Sequence, residues 1–343
     1  MDLEIKGRDR DYRIHLGRGS LRSLGHYMDL NRRVLILADE DIPDTYLDQV
    51  ACQCQSPCPV RVPSGEGAKS LESYESILRA MVEEGFTRRD CLLALGGGVV
   101  GDLGGFVAAS YMRGIDFYTV PTSLLAQIDS SIGGKTALNF GGFKNMIGAF
   151  HHPRSVVVDP DTLDSLPDRQ FRNGMGEVIK TAAVLDPDLY RALCDHEAED
   201  RMEEVIMACL RSKARIVEED FTDHGVRQVL NFGHTVGHAI EASSDLLHGE
   251  SVAVGMTYFA SAGVLESLLP LLESYGLPTR TPVPAVTLFR AILHDKKLDR
   301  GEVRAIFLEE VGHPEIRRIS LEEMEDLLQK KEEENVNKED TRV

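Results

Sequence analysis

Cys91-Leu92-Leu93-Ala94-Leu95 runs without a break into Gly96-Gly97-Gly98-Val99-Val100-Gly101. A short apolar run with no polar residue at alternate positions predicts a strand buried on both faces, as in a parallel sheet covered by helices. The glycines match G-x-G-x-x-G with a strand before and a helix after. That context lets the backbone approach a pyrophosphate while the helix N-terminus offers free N–H groups to it. A glycine-rich turn kept only for tight packing is the bland alternative. The segment thus directs the first half of the chain toward an α/β unit that binds a dinucleotide.

The flanking runs agree. Val34-Leu35-Ile36-Leu37-Ala38 ends in Asp39, and Ser155-Val156-Val157-Val158 ends in Asp159. Val60-Arg61-Val62, held between Pro59 and Pro63, predicts a very short strand, and residues 3 to 16 alternate around Gly7 to Asp11 as a hairpin would. Leu71, Tyr74, Ile77, Leu78 and Met81 recur with helical period. In an ordinary Rossmann unit an acid about 20 residues past the glycines holds the ribose, but the next strand, Phe117 to Val120, ends in Pro121. Asp39 and Glu66 follow earlier strands on the same sheet edge and are the better ribose candidates. The block Pro121 to Thr136, with Asn139, Lys144 and Asn145, is dense in glycine and polar residues. Buried polar groups need partners, so these residues predict a lined cleft.

Beyond Thr162 strand signals become scarce and prolines punctuate helical patterns. The expected division is an α/β domain over 1–162, an all-helical domain over 163–331, and a charged, disordered tail over 332–343. Ser251 to Leu265 is too short for a membrane span and predicts a buried helix. In this half, His234, His238 and His248 cluster. If the first two share a helix, they stand at i and i+4 and project from one face. Neutral imidazole is a common ligand of catalytic divalent metals, whose sites take three protein ligands and leave a position open. Spacing alone leaves open which two histidines bind. Glu177, in Gly176-Glu177-Val178-Ile179-Lys180, is the choice for a carboxylate ligand, a surface Glu–Lys pair being the alternative.

With 38 basic and 56 acidic residues the formal charge is −18, which argues against nucleic acid or an anionic membrane as partner. Met1 to Lys6 carries no secretory pattern, and the expected location is the cytoplasm. The six cysteines read as reduced, incidental thiols, with Cys52, Cys54 and Cys58 a minor candidate for a metal site.

Together these blocks resemble the 3-dehydroquinate synthase family. The likeness runs from about residue 34 to residue 328 and rests on Gly96 to Asp102 with Arg113-Gly114, Pro121 to Lys135 with Lys144-Asn145, Gly176 to Lys180, Leu230 to Glu241, and His248-Gly249-Glu250. The resemblance implies an N-terminal Rossmann-like domain that binds NAD and a helical domain carrying one divalent metal, zinc or alternatively cobalt. It implies Glu177, His234 and His248 as ligands, with His238 behind them or handling a proton. It assigns NAD to Asp39, Glu66, Lys69, Gly97, Gly98, Val99, Asp102, Thr122, Ser123, Asp129 and Lys144. Lys213 and Arg227 would hold the substrate carboxylate. Lys135, Asn145, Asn231 and a lysine of the pair Lys296 and Lys297, with Lys297 preferred, would surround its phosphate. Asp129 and Lys180 would serve the hydroxyls being oxidised and reduced, and Arg113 would reach the neighbouring subunit of a homodimer. Phe221 and Asp223 depart from the family pattern, which has an acid at the first position and a glutamate at the second.

The implied reaction converts a sugar phosphate, 3-deoxy-D-arabino-heptulosonate 7-phosphate, to 3-dehydroquinate and phosphate. It proceeds by transient oxidation with NAD, phosphate loss, reduction and aldol closure. Other sugar-phosphate cyclases such as 2-deoxy-scyllo-inosose synthase share the machinery but not the substrate carboxylate, so Lys213 and Arg227 argue against them. Metal-dependent polyol dehydrogenases take uncharged substrates, against which Lys135, Lys144, Lys180, Lys213 and Arg227 speak. A non-catalytic metal-binding module would leave the glycine run unexplained.

Overall fold

The computed structural model describes every residue except 8, 9, 197, 199, 222, 224, 295–297, 300, 301 and 341–343. The chain divides into two compact units, Met1–Phe171 with Met202–Phe221, and Arg172–Arg201 with Thr222–Val343.

The first unit contains, in chain order, β1 (Asp2–Ile5), β2 (Tyr12–Leu16), β3 (Arg33–Asp39), α1 (Asp44–Ala51), β4 (Ser56–Val62), α2 (Leu71–Glu83), β5 (Cys91–Gly96), α3 (Gly98–Ser110), β6 (Asp116–Pro121), β7 (Lys135–Phe140), β8 (Phe143–Phe150) and β9 (Ser155–Val158). Seven strands form one sheet in the order β1-β2-β9-β6-β5-β3-β4. The predicted hairpin is β1 against β2, antiparallel with Asp2 opposite His15; Arg8 and Asp9 of its connection lie outside the described residues. All other pairings in this sheet are parallel. Side chains leave the central strands alternately. Leu35, Leu37, Leu92 and Ala94 pack with Ile77 and Met81 of α2 and with Leu103 and Val107 of α3. Val34, Ile36, Ala38, Leu93 and Leu95 pack on the opposite face with Leu21, Leu24 and Val50. Both faces are thus covered, which explains the unbroken apolar runs; each fully buried Leu or Ile contributes roughly 1.5–3 kcal/mol.

Two elements differ from the sequence expectation. β4 extends back to Ser56 through Pro57 and Pro59. It pairs only with β3 at the sheet edge, where a missing N–H faces outward and breaks no ladder. The polar block after β6 contains an antiparallel hairpin, β7 with β8, closed by Gly141 and Gly142 at φ 62° and 83°. Paired positive φ values suit a tight hairpin turn. The hairpin lies close to α3, where a Cβ on Gly105 would stand 2.4 Å from Thr136 Cγ2.

Next come α4 (Asp168–Leu185), α5 (Pro187–Cys194), α6 (Met202–Glu219), α7 (His234–Ser243), α8 (His248–Phe259), α9 (Ala262–Ser274), α10 (Ala285–His294), β10 (Leu298–Asp299), β11 (Glu302–Glu310), β12 (His313–Ser320) and α11 (Leu321–Asp340). The expected boundary near residue 162 moves to 171, and α6 returns to the first unit. The second unit is not all-helical, since β10, β11 and β12 form an antiparallel sheet. β12 is largely exposed and lacks the apolar alternation that marks a half-buried strand. The tail expectation also changes. α11 continues to Asp340, because Leu321 to Asp340 holds no Gly or Pro and is rich in helix-forming Glu and Lys, with Lys331 Nζ 3.7 Å from Glu334 Oε2 one turn on. The predicted buried helix is α8, which stops at Phe259; Ser261 then caps α9 by accepting from Val264 N at 3.2 Å. No helix among the described residues is long and apolar enough to cross a membrane.

Candidate dinucleotide and metal sites

In the first unit, β3 has β4 on one side and β5 on the other, so the direction of chain progression reverses between β3 and β5. Open α/β sheets bind ligands at the carboxyl ends of strands at such a reversal. Asp39 ends β3, and Gly96-Gly97-Gly98 lead from β5 into α3, with Gly98, Val99 and Asp102 all in its first turns. Burial pushes the Asp39 carboxyl up from its ordinary value. The glycine run closes on the β6 end, where Thr122 N donates to Gly96 O at 3.1 Å and a Cβ on Gly97 would stand 3.4 Å from Ser123 Oγ. A Cβ on Gly98 would stand 2.9 Å from Ser130 Oγ. A small, solvent-open depression is lined here by Gly96, Gly97, Asp102, Ser130, Lys135 and Thr136.

Beside it lies a polar cluster. Lys69, 4% exposed, donates to Asp102 Oδ2 at 2.7 Å and to Asn145 Oδ1. Its ammonium is 3.6 Å from Glu66 Oε1, which accepts from Asn139 Nδ2 at 2.8 Å; Asn139 Oδ1 in turn accepts from Asn145 N at 2.9 Å. Asn145 has φ 54°. Lys135 and Lys144 are exposed on the hairpin. A single π-type turn, Ala126–Ser130, carries Asp129. Gln127, a wholly buried member of this turn, sets its amide nitrogen within 3.2, 3.1 and 3.0 Å of Pro121 O, Asp159 O and Thr162 Oγ1, which share its two N–H groups and fix the turn to the ends of β6 and β9. Asp129 Oδ1 meets Lys213 Nζ of α6 at 2.8 Å, and the Asp129 carbonyl also accepts from that ammonium. Sequence reading did not foresee that Lys213 and Asp129 pair.

The second unit brings the histidines together. His234 and His238 share α7, with ring centroids 5.2 Å apart, and the His248 ring lies 5.2 Å from His234 and 5.8 Å from His238. Glu177, 2% exposed, comes from α4. Its Oε2 is 2.6 Å from Lys180 Nζ, so the predicted pair exists but is buried, not a surface feature. Its Oε1 is 3.7 Å from His234 Nε2 and 3.5 Å from His248 Nε2, and is buried with no hydrogen-bond partner. Ligands about 2.1 Å from a tetrahedral ion stand about 3.4 Å from each other, so these separations fit a divalent metal held by Glu177, His234 and His248. Burial opposes a charged Glu177, but Lys180, His234 and His248 outweigh it and hold the carboxyl well below its usual range. Burial pushes His234 far down, toward the neutral form a metal needs. It works the same way on His248, where contacts to Glu177 and Glu241 prevail and lift the group to about 10.

Close backbone packing sets this geometry. A Cβ on Gly249 would lie 1.9 Å from Asn173 O, and one on Gly176 would lie 2.4 Å from Gly249 O. Asn173 Oδ1 also accepts from Gly249 N at 2.6 Å, so α4 and the start of α8 touch where Glu177 and His248 project. A Cβ on Gly255 would lie 2.0 Å from Gly233 O, which brings α7 equally close to α8.

Two family models match consecutive stretches, 3-dehydroquinate synthase N-terminal over residues 59–173 and 3-dehydroquinate synthase C-terminal over residues 174–298. The chain belongs to the 3-dehydroquinate synthase family. A 3-dehydroquinate synthase of Enterococcus faecalis is 39% identical over 348 residues, covering 94% of this chain and 97% of its own. That of Geobacter metallireducens is 43% identical over 315 residues, covering 84% and 88%. Among solved structures, 2-deoxy-scyllo-inosose synthase complexed with carbaglucose-6-phosphate, NAD+ and Co2+ has a TM-score of 0.88 at 26% identity, covering 96% of this chain and 100% of that one. ValA, the 2-epi-5-epi-valiolone synthase of Streptomyces hygroscopicus with NAD+ and Zn2+ bound, has a TM-score of 0.86 at 26% identity, covering 94% and 97%.

Arg113 is exposed at φ 69°, next to Met112 at φ 48°. Arg227, 4% exposed, and Asn231 lie on the 3-10 turn Val226–Asn231 of the second unit. Lys296 and Lys297 lie outside the described residues. Cys52, Cys54 and Cys58 are free thiols and join no metal-type cluster among the described residues. Sequence reading missed Asn173, Gln127 and Glu241. Only Glu241 had a usable signal: it stands seven residues after His234 and three after His238, on the same helical face.

Proposed function

We propose that this chain acts as a 3-dehydroquinate synthase, a phosphate-eliminating lyase of the shikimate route. Its substrate is 3-deoxy-D-arabino-heptulosonate 7-phosphate, and its products are 3-dehydroquinate and phosphate. The observation that carries a metal-dependent reaction is the buried, partnerless Glu177 Oε1 facing two imidazole nitrogens. Membership of the family, at 39% identity to a relative over 94% of the chain, supports the choice of substrate.

When bound, NAD accepts and returns a hydride, and a divalent metal, zinc or cobalt, polarises oxygen at the carbon being oxidised. Glu177, His234 and His248 would hold the metal. Asp39, Glu66, Lys69, Gly97, Gly98, Val99, Asp102, Thr122, Ser123, Asp129 and Lys144 would hold NAD. Lys180, buried against Glu177, and Asp129, paired with Lys213, are the groups for the reacting hydroxyls. His238 handles a proton. Lys213 and Arg227 bind the substrate carboxylate, while Lys135, Asn145, Asn231 and Lys297 bind its phosphate. The active form is a cytoplasmic homodimer, in which exposed Arg113 reaches the other subunit's site.

The test is phosphate release from 3-deoxy-D-arabino-heptulosonate 7-phosphate with trace NAD, with and without a chelator. Many turnovers per NAD, stopping on chelation, are expected. No phosphate release by enzyme that holds both metal and NAD would overturn the substrate assignment; net NADH from a simple polyol would replace it with a dehydrogenase.

A further inference from the structure

His248 faces two carboxylates from opposite edges of its ring. Nε2 lies 3.5 Å from Glu177 Oε1, and Nδ1 lies 3.1 Å from Glu241 Oε2. Two sets of potential ligands therefore overlap on one imidazole, Glu177 with His234 and His248, and Glu241 with His238 and His248. They differ in what is already satisfied. Glu241 Oε2 is engaged by Nδ1, whereas Glu177 Oε1 is buried without a partner. A metal-ligating imidazole is neutral and carries one proton; a carboxylate beside Nδ1 holds that proton there, so that it is the Nε2 proton an ion would displace and the Nε2 lone pair that would face the ion beside Glu177. The distance is set by rigid parts. Glu241 sits near the end of α7 and His248 opens α8, and these helices meet at backbone contact through Gly233 and Gly255.

We propose that Glu241 is a positioning residue for the metal centre: it fixes the tautomer and ring plane of His248, so that Nε2 is presented to an ion held with Glu177 and His234. This rests on the ligand reading above. A hydrogen-bonded carboxylate behind a ligating histidine orients the ring and raises its basicity, and losing such a partner typically weakens metal binding by about 10–100-fold.

The test is zinc affinity of the full-length, metal-stripped protein, measured by competition with a chromophoric chelator for wild type, Glu241→Ala, Glu241→Gln and Glu177→Ala. Thermal unfolding of the stripped proteins checks that the fold is kept. Glu241→Ala is expected to reach one zinc per chain at saturation but to bind it about 10–100-fold more weakly. Glu241→Gln keeps an oxygen that can accept from Nδ1–H, and recovers most of that loss. Wild-type affinity in Glu241→Ala, or Glu241→Gln no better than Glu241→Ala, would overturn the positioning role. Undiminished affinity in Glu177→Ala together with complete loss in Glu241→Ala would overturn the ligand reading itself and move the ion to the overlapping set.

Discussion

The two candidate sites are built from different material. In the first unit the dinucleotide site is mostly backbone, a glycine run at a strand end closing on Thr122 and Ser130, with Lys69 and Asp102 paired beside it. In the second unit the metal site is made of side chains, and backbone enters only as the contact that lets three helices approach. A backbone site tolerates side-chain change as long as the approach stays open. A side-chain site fails with one atom, but it also depends on glycines that touch no ligand.

That contrast can be broken outright by Glu177→Ala. We expect zinc to be lost from the purified protein and turnover to vanish, with NAD affinity near that of wild type. Zinc retained at one per chain would show that the side-chain site is not where Oε1 points. Gly249→Ala sharpens the second half of the comparison, because its new Cβ would meet Asn173 O at 1.9 Å and must push α8 from α4. The expected result is a stability loss of about 1–3 kcal/mol in denaturant unfolding, with weakened zinc binding although all three ligands are present. Zinc affinity equal to wild type would mean that the glycine contact does not set the site. The smallest effect is expected at Gly98→Ala, where the added Cβ would meet only the Ser130 side chain, with Oγ at 2.9 Å and Cβ at 3.4 Å. NAD binding measured by calorimetry should weaken roughly tenfold, about 1.4 kcal/mol, with zinc content unchanged. An unaltered NAD affinity would show that the cofactor does not need the close approach at that glycine.

The same contrast explains how much could be read from the sequence. The strand, glycine run and helix from Cys91 to Gly101 are contiguous, so local pattern alone defines them. β3 and β9 were equally plain because burial on both faces leaves an unbroken apolar run, and β6 was legible from Phe117 to Val120 although Thr119 interrupts it. β4 was half hidden by prolines that an edge strand tolerates, and β12 by its exposure. The metal residues were legible as a cluster through the i, i+4 spacing of His234 and His238. Spacing did not reveal that Glu177 Oε1 points at His234 and His248, nor that His238 stands in the overlapping set. Glu241 was overlooked because an acid near a helix end ordinarily reads as solvated. The stretch that forms α6 fell within a region read only as helical, and a helical pattern does not say which unit a helix joins.

The position of α6 bears on how the protein is made. The chain leaves the first unit at Phe171, returns to it for Met202–Phe221, and leaves again. Domains tend to fold as units while synthesis proceeds from the N-terminus. Here the sheet is complete with β9, but its unit is not, because Lys213, the partner of Asp129, has yet to emerge from the ribosome. By then α4 and α5 have already been synthesised, so the first unit finishes only after part of the second exists. A polypeptide ended at Phe171 would hold every strand of the large sheet and still lack the helix that meets its π-type turn. Limited proteolysis would likewise need two cuts, one on each side of the α4–α5 segment, before those two helices could be separated from the sheet.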